Sequence, residues 1–104
     1  MPLFALVARD KPERFDLRAE TRPAHVGHLE SLGDRLLCAG PTLNKDGKPD
    51  GSLVIFEASD IESALAFADA DPYAEAGLFD TVRVRPYSAL LGTWPNGAPA
   101  DEEE

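Results

Sequence analysis

Four short apolar runs dominate the chain: LFALVA (3–8), RLLCAGPTL (35–43), SLVIFEA (52–58) and FDTVRVRPYSALL (79–91). All four read as strands, and the segments between them differ in kind. After a charged, proline-bearing loop at 9–16, a helical pattern runs from Leu17 to about Gly33. Leu29, Leu32 and Leu36 recur there at helical spacing, and Gly33 stands where a C-terminal glycine belongs. Pro23 falls early in the main part of this segment, so either the helix starts there or two short helices meet there. The second gap, NKDGKPDG (44–51), carries Asp-Gly twice, as a hairpin or long loop requires. In the third, Asp60 is an N-cap before IESALAFADA, with Ile61, Ala64, Leu65 and Ala68 on one face and Pro72 as the stop.

Strand–helix–strand–strand–helix–strand is the split βαβ order of a ferredoxin-like α+β domain. The expected architecture is a four-stranded antiparallel sheet with two helices on one face. Strands one and three are central, and strand four is an edge. The first and third strands are apolar on both sides, whereas in the fourth Val82 and Val84 alternate with Thr81, Arg83 and Arg85. Two helices cover one face of such a sheet, which leaves an apolar patch on the other. A homodimer packed sheet against sheet would bury it. The C-terminal segment with Trp94, folded back, would cover part of it.

A chain of 104 residues with 43% apolar content supports one modest core. Residues 1–92 are expected to form the domain, and 93–104 a flexible acidic tail. Net charge is −9, but four of the 19 acidic residues are the terminal DEEE; the remaining 15 face 10 basic residues, an ordinary acidic surface. That balance argues against nucleic acid. No apolar run is long enough to span a membrane, and the start MPLFALVARDK lacks the pattern of a signal peptide. A single cysteine, Cys38, excludes an intrachain disulfide and fits a reducing compartment, so the expected location is cytoplasmic. Cys38 itself reads as core packing. No serine stands in a nucleophile elbow, and no glycine-rich phosphate loop is present.

His25 lies four and seven residues before Leu29 and Leu32, on the apolar stripe. An inward imidazole needs a partner. It is either a core histidine bonded to a backbone carbonyl or a general base at the end of a pocket. His28 sits on the shoulder of the same stripe, without the further ligands a metal site needs. Asp71 stands before Pro72 at a helix end, where a carboxylate opposes the helix dipole. It is punctuation, or it accepts a bond from His25 and fixes its tautomer. The topology puts both helices on one face, which permits the meeting. An enzyme moving a proton with His25 and Asp71 is one reading. A non-catalytic ligand-binding or partner module, with the pair as a structural link, is the other.

Four segments in order, RPAHVGHLESL (22–32), AGP (39–41), DADPYAEAGLF (69–79) and VRVRPY (82–87), resemble the YciI-like, or YCII-related, family. The resemblance covers residues 3 to 90, nearly the whole domain. It implies a ferredoxin-like fold assembled as a dimeric α/β barrel. It also implies a catalytic pair at His25 and Asp71, with Arg22 and Tyr73 in substrate binding. The family is similar to muconolactone isomerase-type proteins, and some members are small lyases or dehydrochlorinases on aromatic-derived substrates. The implied activity is a cofactor-independent isomerase or lyase on a small organic molecule.

Overall fold

The computed structural model describes residues 1–94; the stretch of the expected acidic tail from 95 to 104 lies outside the described residues. The elements are β1 (Leu3–Asp10), α1 (Phe15–Glu30), β2 (Leu36–Leu43), β3 (Pro49–Glu57), α2 (Ile61–Asp69), α3 (Pro72–Glu75) and β4 (Phe79–Tyr87). A 3₁₀ turn, Gly33–Arg35, joins α1 to β2, and Gly33 enters it at φ +59°, which glycine adopts without strain.

All strand pairs are antiparallel, in the order β2-β3-β1-β4. β1 and β3 are therefore central and β4 is an edge, the ferredoxin-like arrangement expected from the element order. In register, Phe4 faces Phe56 and Leu6 faces Val54. These four side chains, with Ala8, meet Leu29 and Leu32 of the α1 side and Ala64 and Ala68 of α2 in one core. Both long helices thus cover the same sheet face. Phe56 is completely buried and Leu6 nearly so, each contributing roughly 1.5–3 kcal/mol by leaving water.

The opposite face keeps its apolar character. Val7, Leu53 and Tyr87 are 40–45% exposed there, while Ile55 between them is buried. Cys38 pairs with Ile55, so it lies half-buried on this open face and not in the helix-covered core, a correction to the sequence reading. Burial still pushes its thiol up, which disfavours the thiolate.

Two local expectations change. α1 runs unbroken through Pro23. Proline costs one main-chain bond, to the Ala19 carbonyl, and Ala19 is exposed, so water can satisfy that carbonyl. Leu65 points outward at 45% exposure, and Phe67, partly buried, packs against the core instead. Asp60 caps α2 as expected, accepting from the Ser63 N–H at 2.8 Å.

Candidate functional site

Asp71 is not the end of a helix. α2 closes at Ala70, and Asp71, extended at φ −62° and ψ 129°, is the N-cap of α3. Pro72 follows at the first helical position, where its missing N–H costs nothing. Proline here starts a helix instead of stopping one. The Asp71 carboxylate accepts the Tyr73 N–H at 2.9 Å. A carboxylate that would oppose the dipole at the end of α2 is instead favourable at the N-terminus of a four-residue helix.

The same carboxylate meets His25. Nδ1 of the ring lies 2.9 Å from both Asp71 oxygens, and both residues are buried. An ionised carboxylate only accepts, so Nδ1 carries the hydrogen and donates it. Nε2 then remains for other work. Among the described residues the ring makes no other hydrogen bond, yet every fully buried polar side-chain atom has a partner. Nε2 therefore reaches accessible space.

His25 lines a cavity of about 260 Å³ between α1 and the β2–β3 end of the sheet. Its polar lining is Arg18, Arg22, His25, Ser52 and Tyr73; Phe15, Val26, Leu29 and Pro41 contribute apolar wall. Tyr73 is 1% exposed and stacks on the His25 ring, with centroids 3.9 Å apart and planes at 19°. The Arg18 guanidinium carbon lies 4.6 Å from the Tyr73 ring centre. Arg18 and His25 are two helical turns apart, so the tyrosine ring sits between them.

Arg18 is the residue that sequence reasoning missed. It is buried and held by Asp10, Nε to Oδ2 at 2.6 Å and an Nη nitrogen to Oδ1 at 3.0 Å, with the same Nη donating to Ser52 Oγ at 2.9 Å. Burial pulls its pKa down, but the hydrogen bonds and charge of Asp10 outweigh that and raise it above its ordinary value. Burial raises the Tyr73 phenol, against the pull of Arg18 and Arg22. Residues 18, 22, 25 and 29 are spaced four, three and four apart, one stripe of a helix. That spacing is the available signal; a helix start or a junction of two helices at Pro23 hides it, because either one breaks the stripe between residues 22 and 25.

His28 stays outside the cavity. Its Nε2 donates to the Phe67 carbonyl at 2.8 Å, and its ring stacks on Phe67 at 4.1 Å, linking α1 to α2. Arg83 and Arg85 are exposed on the open face of β4. No helix among the described residues is long and apolar enough to cross a membrane.

Fold and cavity together define an α+β protein of the dimeric α/β barrel type, with a histidine–carboxylate pair at a small pocket. The chain belongs to the YCII-related domain family, whose model matches residues 2–88. It is 41% identical over 97 residues to Protein YciI of Escherichia coli O6:H1, spanning 86% of this chain and 99% of that one. A Haemophilus influenzae protein is 34% identical over 96 residues, covering 85% and 98% of the two chains. Among solved structures, 5-chloro-2-hydroxyhydroquinone dehydrochlorinase from Burkholderia phenoliruptrix AC1100, in complex with 2,5-dihydroxybenzoquinone, superposes with a TM-score of 0.78. It is 30% identical, over 85% of this chain and 95% of that one. An antibiotic biosynthesis monooxygenase at 14% identity and a TM-score of 0.52 shares the fold.

Proposed function

We propose that this chain is a small cofactor-independent acid–base enzyme of the isomerase or lyase type, acting on a small organic molecule in the cavity beside α1. One observation carries the reading: Asp71 holds Nδ1 of His25 while Nε2 is left facing accessible space. In this reading Nε2 accepts a proton from a substrate C–H or O–H. Asp71 stabilises the imidazolium that forms, and the ring returns the proton to another substrate atom or to a leaving group. The dehydrochlorinase relative lends support, since elimination from a hydroxylated ring needs this kind of proton transfer. Arg22 and Tyr73 serve as binding groups, and the working unit is a homodimer joined through the open sheet face.

Turnover of activated carbon acids and chlorinated hydroxyaromatics is the test, read as deuterium uptake from D₂O and as chloride release. His25→Ala and Asp71→Asn should each lower the rate by roughly 10²–10⁴-fold. Unchanged rates in both variants on an identified substrate would sink the proposal.

One observation favours a second reading, a non-catalytic ligand-binding or partner module. Asp71 also caps α3, so the pair links α1 to the α3 turn whatever else it does. Thermal melts separate the two. A structural pair predicts a large stability loss on His25→Ala, with ligand affinity and any turnover following the folded fraction alone.

A further inference from the structure

The molecule carries a net charge of −9, yet among the described residues no aspartate or glutamate lines the cavity. Its ionisable lining is Arg18, Arg22, His25 and Tyr73. Two of these charges are already balanced from behind. Asp10 forks onto Arg18, and Asp71 holds His25. Arg22 is different: among the described residues it has neither an ion-pair nor a hydrogen-bond partner, and it is exposed at the cavity rim. It lies three residues before His25, so the two are neighbours on one helix face. Its charge reaches inward as well, since it pulls on the buried Tyr73 phenol.

We infer that the ligand of this cavity is a ring-sized monocarboxylate, its carboxylate held by Arg22. A guanidinium with free donors matches a carboxylate with two parallel hydrogen bonds. One uncompensated cation suits one negative charge; a phosphate dianion would need a second, and Arg18 is spent on Asp10. The volume, about 260 Å³, falls below the range of drug-sized sites, and the apolar wall suits a ring. The inference deepens the proposed function by naming its substrate class. It puts the group that loses a proton at His25, one helical turn from the anchored carboxylate.

The experiment uses the full chain and three ring-matched probes, benzoate, benzamide and benzylamine, titrated by calorimetry. Benzoate should bind roughly tenfold or more tighter than benzamide, as a charge-assisted hydrogen bond does, and benzylamine weakest. Arg22→Met should bring benzoate down to the level of benzamide and leave benzamide unchanged. Arg22→Lys should restore part of the preference. His25→Ala should keep it, so a failed search for turnover would count against proton transfer and not against carboxylate binding. Equal binding of benzoate and benzamide, an undiminished preference in Arg22→Met, loss of the preference in His25→Ala, or no saturable binding of any probe would each overturn the inference.

Discussion

Asp71 serves two donors with one carboxylate, the Tyr73 N–H and the His25 ring. Asparagine can still accept the Tyr73 N–H, but its amide can also donate toward His25, which favours an imidazole with the hydrogen on Nε2. Asp71→Asn should therefore keep the α3 turn while disabling Nε2 as a base. Asp71→Ala removes the cap and the ring partner together and should lower stability by about 1–3 kcal/mol, measured by chemical denaturation. Tyr73 makes a separate prediction. Its folded pKa is raised above its ordinary value of 10.0 by burial, so the folded state holds the proton more tightly than the unfolded state. That stabilisation is complete below about pH 10 and is lost as pH rises through the folded value. Denaturation from pH 9 upward should show a decline that is shallower in Tyr73→Phe.

At the level of elements, the hairpin strand β3 passes too close to β1 for any side chain at Gly51. A Cβ there would stand 2.4 Å from the Ala8 carbonyl oxygen, which is backbone and cannot rotate away. Gly51→Ala should cost about 1–3 kcal/mol in denaturant melts, the range for overpacking. A near-zero cost would mean that the β1–β3 register shifts there. Element order, both central strands and the Asp60 cap were legible because each rests on local pattern: alternation, a turn cluster, a capping carboxylate. α3 was not, because four residues carry no periodicity, and Asp-Pro reads equally as the end of one helix and the start of another. Arg18 was hidden for a related reason. A charged residue on a helix stripe looks solvated until its partner is known, and the partner here, Asp10, reaches it from the end of β1. His25 and Asp71 were legible as candidates; their meeting was a matter of tertiary geometry.

For the whole molecule, the open sheet face is the surface on which the proposed dimer would form. Val7, Leu53 and Tyr87 expose apolar surface beside buried Ile55, on the side that neither long helix covers. Sheet-to-sheet pairing would bury this patch. Light scattering at micromolar concentration is expected to give twice the chain mass, and Leu53→Glu to give one chain mass with an unchanged far-UV spectrum. A monomeric wild type would contradict the proposed dimer and leave the cavity, built within one chain, intact.

The chemistry proposed for this site turns on one hydrogen, the one that Asp71 draws to Nδ1 of His25. Nitrogen-15 NMR of the ring reads its position directly. A protonated Nδ1 and a bare Nε2 are expected in the neutral ring of the wild type, exchanged for a protonated Nε2 in Asp71→Asn. A wild-type ring with its hydrogen on Nε2 would contradict that chemistry.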